Sequence, residues 1–194
     1  MPEAILELKK LMNAIYPIPE TEWEAFAGLW KPFSARRKEV LTLSGKPEKY
    51  LYFVLEGVQR VYYFDEQNRE ATLVFTYAPS FGGVLDALLL QQPSRYFYET
   101  LTPSTFLRAP VSDLLPLIAI KPTIAFIIRQ GLAQALSGVL ERLVELQCFT
   151  SEEKFRQLLK RSPHILQLVP HKYLANYLGI EATNFSKLIN RIRI

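Results

Sequence analysis

The side chains with the most capacity for chemistry lie near the end of the chain, in the helix-like segment 182–191. One face of this segment is polar or basic and carries no acid: Thr183, Asn184, Ser186, Lys187, Asn190 and Arg191. Such a face can hydrogen-bond to base edges in the major groove of DNA and neutralise phosphates. A helix face exposed only to water usually mixes both signs of charge. The pattern therefore favours a DNA-contacting helix over an ordinary helical hairpin with a solvated face.

The segment before this helix predicts a partner for it. Residues 170–177 have helical spacing, and Gly179 follows at the point where helices commonly end in the left-handed conformation. Ile180 is placed to fill the turn. The apolar positions that face inward on the two helices are Leu174, Ala175, Phe185, Leu188 and Ile189. Two short helices joined by a tight turn containing Gly predict a helix-turn-helix.

The basic charge of the chain is concentrated in the same region. Residues 151–194 contain eight Lys and Arg against three Glu, a net charge of +5. Because the whole chain carries +4, the first 150 residues carry −1. A near-neutral body with a basic end is compatible with binding to nucleic acid.

The composition excludes several other classes of protein. Hydrophobic residues make up 49% and charged residues 22% of the chain, as in an average globular protein and unlike a disordered or collagen-like chain. The apolar runs are shorter than the roughly 20 residues that span a bilayer. The N-terminus lacks the apolar stretch of a signal peptide. We therefore expect a cytoplasmic protein without a membrane segment.

Metal and enzyme chemistry are also disfavoured. Cys148 is the only cysteine, and the two histidines, His164 and His171, lie late in the chain. One cysteine cannot form an internal disulfide or hold an iron–sulfur cluster, and metal-dependent barrel enzymes need histidine inside the barrel. The sequence contains no phosphate-cradling loop, nucleophile elbow or zinc-protease motif. We expect neither an enzyme nor a metal site.

The elements that position the C-terminal helices begin with two helices and a run of strands. Residues 3–15 and 21–29 have helical spacing, and Thr21 with Glu24 fits a capping box. Segments rich in β-branched and aromatic residues then predict strands at 51–55, 58–64, 71–77, 95–101 and 105–110. Short strands at this spacing indicate a sandwich or a small barrel.

A long helix is predicted from about residue 123. Its apolar residues step by four and three and form an apolar seam: Leu132, Leu136, Val139, Leu143 and Leu146. Leu140 and Val144 add a second apolar flank. The helix packs either wholly on its own barrel or, as we favour, with one flank on the barrel and the seam on a second copy. Thr150 with Glu153 then forms a capping box for the next helix.

A family resemblance rests on residues 50–83, YLYFVLEGVQRVYYFDEQNREATLVFTYAPSFGG. This segment resembles the β-roll of the cyclic-nucleotide-binding domain. Together with the long helix and LANYLGIEATNFSKLINR, it resembles the Crp/Fnr family of bacterial transcription regulators, named after the cyclic-AMP receptor protein and the fumarate–nitrate regulator. The resemblance covers the chain from about residue 20 to its end. It implies a homodimer that binds a palindromic operator, with an effector in the barrel that shifts the DNA-binding heads.

The sequence departs from the family pattern at the effector site. Nucleotide-binding members hold the ribose with Gly-Glu and the cyclic phosphate with an Arg followed by a small hydroxyl residue. Here the pair is Gly82-Gly83, and Ser94 precedes Arg95. Arg95 is either a phosphate ligand or, as we favour, a surface residue paired with Glu99 or another acid. The effector-site residues implied by the resemblance are Gly82, Gly83, Ser94, Arg95 and Ser137, although Ser137 also suits a small packing position.

The DNA-reading positions depart from the family pattern as well. Where the best-known members carry Arg, Glu and a later Arg, this chain has Ala182, Thr183 and Lys187. We therefore expect a different operator. Because the sequence ends at Ile194, directly after the predicted recognition helix, we expect the β-wing of many members to be missing.

The predicted fold is α+β, with a cyclic-nucleotide-binding-like β-roll (a jelly-roll barrel) and N-terminal helices at 1–121. A dimerisation helix at 122–149 and a helix-turn-helix DNA-binding domain at 150–194 follow. The predicted function is a dimeric DNA-binding transcription regulator with a degenerate cyclic-nucleotide site. The alternative is a barrel that binds a small molecule or protein and carries a non-functional head. Expected partners are double-stranded DNA with a palindromic operator, a second copy of the chain and an unidentified small-molecule effector; no cofactor and no membrane are expected, and ordinary cyclic-AMP binding is doubtful.

Overall fold

The computed structural model describes residues 1–191, and its strands form a roll of two sheets. The strands are β1 (Lys31–Ala35), β2 (Val40–Thr42), β3 (Tyr50–Glu56), β4 (Val58–Phe64), β5 (Glu70–Tyr77), β6 (Ser80–Gly82), β7 (Phe97–Thr100) and β8 (Ser104–Pro110). One four-stranded sheet has the order β1-β8-β3-β6 and the other the order β2-β7-β4-β5. Every strand pair in the two sheets is antiparallel. We call this roll the barrel.

Helices precede, interrupt and follow the barrel. Those before or within it, or directly after it, are α1 (Pro2–Ile15), α2 (Glu20–Ala27), α3 (Leu85–Leu90) and α4 (Val111–Ile120). The later ones are α5 (Pro122–Cys148), α6 (Ser151–Arg161), α7 (Ile165–Leu168), α8 (His171–Leu178) and α9 (Ala182–Arg191). We call α6–α9 the head. Residues 192–194 of the predicted DNA-binding domain, and with them the prediction about the β-wing, lie outside the described residues.

The architecture confirms the predicted fold class. The five predicted strands correspond to β3, β4, β5, β7 and β8 to within two residues at each end. The Thr21–Glu24 capping box is wrong. Pro19 is the N-cap, with φ of −61° and no side-chain cap, and its carbonyl accepts hydrogen bonds from Glu22 and Trp23. The helix therefore starts at Glu20, and Thr21 lies inside its first turn.

Two buried clusters hold the N-terminal part together. The first packs α1, α2, α4 and the start of α5 against one sheet, and it includes the fully buried Leu8, Phe26, Phe53, Leu107 and Ile124. The second fills the space between the two sheets, where Tyr52 of one sheet meets Tyr98 of the other with ring centroids 5.6 Å apart. The interior of the barrel is therefore aromatic and closely packed.

The first turn of α5 is anchored by a side chain from α2. Glu22 is buried, and its carboxylate accepts hydrogen bonds from the backbone N–H groups of Thr123 and Ile124, each at 3.2 Å. These N–H groups have no partner within a helix, and a carboxylate also complements the positive end of the helix dipole. Glu22 therefore fixes the point from which α5 leaves the barrel.

Within residues 1–191, the middle of α5 packs on no other element. Every residue from 133 to 141 is exposed, and so is most of the apolar seam: Leu136, Val139, Leu143 and Leu146 are 59%, 55%, 48% and 42% exposed. Leu132 is half-buried. The expectation that the second flank packs on the barrel is wrong, because Leu140 and Val144 are 54% and 52% exposed. Both apolar flanks of α5 thus face solvent in a single protomer.

The apolar composition of α5 also bears on whether this helix could span a membrane. By length and hydropathy alone, α5 could cross a bilayer, and 11% of its most apolar window is buried in the protomer. The short apolar runs of the sequence did not suggest such a helix. One such helix is weak support for a membrane span, since an interface helix between protein subunits has the same composition.

The head begins as predicted. Thr150 accepts a hydrogen bond from Glu153 N–H, and the Glu153 carboxylate accepts one from Thr150 N–H, which is the reciprocal capping box. Gly179 ends α8 in the left-handed conformation at φ 62° and ψ 39°. The sequence therefore identifies the start of α6 and the end of α8.

Gly57, between β3 and β4, provides a test of the barrel. Its φ is +86°, and a Cβ there would lie 2.5 Å from the Pro103 carbonyl oxygen. Gly45 has a similar φ of +78° with nothing within 4 Å of its Cβ position, so Gly45→Ala is the matched control. We expect Gly45→Ala to cost about 1 kcal/mol of unfolding free energy from φ alone. Gly57→Ala should cost about 3 kcal/mol, since the backbone must also shift. Urea unfolding at one protein concentration measures both, and equal losses would contradict the steric argument.

Candidate DNA-binding interface and effector site

The helix-turn-helix consists of α8, a turn at 179–181 and α9. Ile180 N–H donates to the Ala175 carbonyl at 3.0 Å across the left-handed Gly179, which closes the end of α8. Ile180 is 7% exposed and fills the turn. On α9, Phe185 and Leu188 are buried and Ile189 is half-buried, with the Phe185 ring 5.4 Å from that of Phe155 on α6. The inner face of α9 is thus packed as the sequence predicted.

The outer face of α9 is open to solvent. All six predicted DNA-contacting residues are exposed: Thr183, Asn184, Ser186, Lys187, Asn190 and Arg191. Two of them already make hydrogen bonds, since Ser186 Oγ donates to the Ala182 carbonyl at 3.0 Å and Asn184 Nδ2 donates to Ser151 Oγ at 3.3 Å. The structure brings these residues together on one accessible surface next to the N-terminus of α6.

Some charged side chains of the head form internal ion pairs, whereas others are exposed without one. Arg161 forms a two-point ion pair with the buried Glu145 of α5, and Arg156 pairs with Glu152 on the same helix. Within residues 1–191 no ion pair involves Lys187 or Arg191. Lys187 and Arg191 are exposed on α9, so a phosphate could reach both of them. Lys154 and Lys160 of α6 likewise form no ion pair within residues 1–191.

The junction between α5 and the head is a buried ion cluster. Glu145 is 5% exposed, and Arg161 and Arg142 both donate to it. Burial raises the pKa of Glu145, but the hydrogen bonds and charges of the two arginines outweigh it, so the pKa lies below its ordinary value. The Arg142 guanidinium also lies 4.1 Å from the ring centroid of Tyr177 on α8. The end of α5 is thereby held to both α6 and α8.

The expected effector site around Gly82 and Gly83 is occupied by the protein itself. A Cβ at Gly82 would overlap the Tyr98 hydroxyl group, which hydrogen-bonds to Thr76 Oγ1 at 3.1 Å. The carboxylate of Glu48 accepts from Thr42 Oγ1 at 2.7 Å and from the backbone N–H of Val84, directly after Gly83, at 2.9 Å.

Burial governs the chemistry of both of these groups. Glu48 is 5% exposed, and burial raises its pKa even though it accepts four hydrogen bonds. Burial likewise raises the pKa of Tyr98, which is fully buried and therefore stays un-ionised. A carboxylate and a neutral phenol thus occupy this end of the barrel interior.

The structure does not bring the other three predicted effector residues, Ser94, Arg95 and Ser137, to the site around Gly82 and Gly83. Ser94 is buried, and its hydroxyl donates to the Tyr96 carbonyl at 2.7 Å and accepts from Tyr96 N–H, so it closes its own turn. Arg95 is exposed. The suggested Arg95–Glu99 pairing is wrong, because Glu99 pairs with Arg60 and Lys38. Ser137 lies on the exposed stretch of α5.

The cation on the inner face of the barrel is Arg108, which sequence reasoning missed. It lies opposite Tyr52 in the β3–β8 register, so both side chains share one face of the sheet. Its guanidinium is 4.0 Å from the ring centroid of Phe33 and 4.3 Å from that of Tyr50. The alternation of β8 places Arg108 inward, which is the one signal in the sequence that could have found it.

Metal chemistry has no candidate residues in the described part of the chain: residues 1–191 contain no group of three His, Cys, Asp or Glu side chains placed to hold an ion. Two open clefts of about 500 and 490 Å³ lie away from the barrel interior. The first separates the barrel from the head beside Arg37, Thr102 and His171, and the second lies beside α5 and α6.

Comparison with known proteins agrees with this arrangement. Residues 32–121 match the cyclic nucleotide-binding domain family. No curated protein matches the sequence at a significant level. The fold and the family match together define a cyclic-nucleotide-binding-type barrel joined to a head that contains a helix-turn-helix.

Several solved structures share the whole architecture. FixK2 from Bradyrhizobium japonicum has a TM-score of 0.76 at 18% identity, with 84% of this chain and 83% of that one covered. The c-di-GMP-responsive global regulator CLP from Xanthomonas campestris has a TM-score of 0.67 at 16% identity, covering 89% and 91%. A Crp/Fnr-family putative transcriptional regulator from Eubacterium rectale has a TM-score of 0.68 at 14% identity, covering 91% and 86%. Residues 32–121 thus match the cyclic nucleotide-binding domain family, and the chain shares the fold of these solved regulators, which confirms the fold that the resemblance implied.

Proposed function

We propose that this chain is a DNA-binding transcription regulator of the Crp/Fnr type, and not an enzyme. The observation that carries the proposal is the outer face of α9, where six polar or basic side chains are exposed together without an acid. A helix of this kind can lie in the major groove while its cations neutralise phosphates. The fold shared with FixK2, CLP and the Eubacterium rectale regulator supports the same assignment.

The proposed regulator acts as a homodimer in the cytoplasm. The apolar seam and the second flank of α5 leave a continuous stretch of exposed leucine and valine, which an isolated protomer would present to water. Heptad spacing allows a second copy of α5 to cover the seam. A twofold-symmetric pair of heads then matches a palindromic operator. In this proposal residues 1–121 form the sensory region, 122–149 the dimerisation helix and 150–194 the DNA-binding region.

The proposed effector site is degenerate for cyclic nucleotides. Gly83 offers no carboxylate to a ribose hydroxyl, and Arg95 is exposed. The Glu48 carboxylate already binds Val84 N–H next to Gly83, so an anionic phosphate would meet a buried acid there. Any small-molecule effector of this protein is therefore expected to differ from cyclic AMP.

The DNA-binding proposal is tested with an operator selected from random duplexes by the purified protein. Lys187→Ala and Arg191→Ala should each weaken binding, and a lost phosphate contact should reduce the slope of log affinity against log salt by about one. Thr183→Ala or Asn184→Ala should change which sequences are preferred. Lys46→Ala removes the same charge from an exposed barrel loop and is the matched control. Parental binding by the Lys187→Ala/Arg191→Ala double variant would show that α9 is not the DNA-contacting helix, and a parental protein that selects no duplex would leave the alternative, a barrel module with a non-functional head.

The homodimer is tested by Leu136→Glu and Val139→Glu. Both residues are more than half exposed in the protomer, so the charges should not disturb its fold. In a dimer they would place carboxylates in an apolar interface at a cost of about several kcal/mol. Sedimentation velocity should show monomers with unchanged circular dichroism. Gln134→Glu, an exposed change away from the seam, should leave the dimer intact, and a parental protein that is monomeric at micromolar concentration would refute the proposal.

The degenerate effector site is tested by calorimetric titration with cyclic AMP and cyclic GMP. An unmatched polar group costs about 1–3 kcal/mol, so loss of the ribose carboxylate alone should weaken affinity roughly ten- to a hundred-fold relative to a complete site. We expect no saturable binding at low micromolar nucleotide. Saturable binding that Arg95→Ala abolishes would show that Arg95 holds the phosphate and that another group replaces the missing acid.

A further inference from the structure

Helix α8 packs directly on the barrel of its own protomer. It lies against β5, one of the two edge strands of its sheet. An edge strand presents a row of unpaired N–H and C=O groups. The side-chain amide of Asn176 takes up two of them: its Oδ1 accepts from Thr72 N–H at 2.5 Å, and its Nδ2 donates to the Glu70 carbonyl at 2.7 Å. The amide thus replaces one peptide group of a neighbouring strand.

A buried cation joins the same two elements from the barrel side. Arg60 is 3% exposed, and its guanidinium lies between two rings, 4.0 Å from the centroid of Tyr62 and 4.2 Å from that of Tyr173 on α8. It donates to Glu99 and to Glu70, each at 2.7 Å. A buried charge is tolerated only when its partners are in place. Since Tyr173 covers this ion cluster, α8 completes a site that the barrel alone leaves open.

Apolar packing completes the contact. Val58 and Leu101 of the barrel belong to the same buried cluster as Phe155 and Leu174 of the head. The ring of Phe75 on β5 lies 5.1 Å from that of Tyr177 on α8. The head therefore shares a hydrophobic core with the barrel in addition to its covalent connection through α5.

The docked arrangement leaves the proposed DNA-reading surface free. The side chains of α8 that touch the barrel are Tyr173, Asn176 and Tyr177, whereas the outer face of α9 stays exposed. The contact lies on the outer face of the β2-β7-β4-β5 sheet, while Tyr98 and Glu48 lie inside the barrel. Docking therefore neither covers α9 nor draws on the expected effector site.

We propose that Asn176 is a positioning residue for DNA binding: together with Phe75 and the Arg60 ion cluster, it holds the recognition helix at a set place on its own barrel, through contacts outside the expected effector site. The inference rests on the proposed function, because it concerns how the two heads of the proposed dimer bind two half-sites at once. In a dimer whose heads are held in place, binding of one head presents the other to its half-site at high effective concentration. Heads released from the barrel lose that advantage without losing their own contacts to DNA.

The test compares the selected operator with a duplex that carries one half-site. Asn176→Asp is nearly isosteric, but it removes the donor to the Glu70 carbonyl and places a carboxylate oxygen against it. Phe75→Ala weakens the same contact from the barrel, far in sequence from the DNA-binding helices. Gln92→Glu, an exposed amide-to-acid change, is the matched control. Exchange of the Thr72 amide hydrogen reports the contact itself, because its acceptor is Asn176.

We expect both variants to bind the full operator at least tenfold more weakly, to bind the half-site within twofold of the parent, and to exchange the Thr72 amide faster. The double variant should be less than additive, since both changes release one contact. Unchanged or tighter binding to the full operator, or an equal loss on both duplexes, would overturn the inference while leaving the proposed function standing. A parental protein that binds neither duplex would instead refute the proposed function. Thermal unfolding identifies a variant that fails to fold, in which case the other variant decides.

Discussion

Helix α8 is packed on two sides, and the position of α9 relative to the barrel depends on this packing. Leu174 and Leu178 face the core of the head, where they are fully buried, while Tyr173 and Asn176 face the barrel. A helix held on both sides can move only if one of the two packed surfaces is given up. The position of the head is therefore fixed by its contact with the barrel as much as by its connection to α5.

Two buried carboxylates at separate places also affect the stability of the protein, and protonation changes their contributions in opposite directions. The pKa of Glu145 lies below its ordinary value, so its ion pairs add stability at neutral pH and lose it as the pH falls through that lowered pKa. Burial raises the pKa of Glu48, so its ionisation at neutral pH costs stability that acidification returns. Acid should therefore loosen the junction of α5 with the head while relieving the interior of the barrel.

Local patterns predicted those elements that a short window of sequence can specify. Strand β4 with its β-branched and aromatic residues, the left-handed Gly179 and the reciprocal Thr150–Glu153 box depend on neighbouring residues, and all three occur as predicted. Strands β1, β2 and β6 were missed. Of these, β2 and β6 have three residues each, too few for a period to be recognised. Their positions depend on pairing with distant strands.

The candidate functional residues divide in the same way, into those that local sequence predicts and those that depend on distant contacts. The exposed face of α9 follows from helical spacing alone. The effector residues were transferred from a family pattern, and in this chain Arg95 faces solvent while Arg108 lies on the inner face of the barrel. The contact of Arg60 with Tyr173 joins residues more than a hundred positions apart, and no pattern in one sequence marks such a pair.

The pairing of Asn176 with β5 has a consequence for association between molecules. Unpaired edges of sheets are templates on which a strand of another chain can add, which is a common route to aggregation. The Asn176 amide occupies the Thr72 N–H and the Glu70 carbonyl, and α8 covers the strand at that point. The head therefore also shields the barrel, and proteolytic loss of the head would leave a barrel with an open, partly apolar edge strand. Protection of the barrel from association in this sense depends on the whole chain.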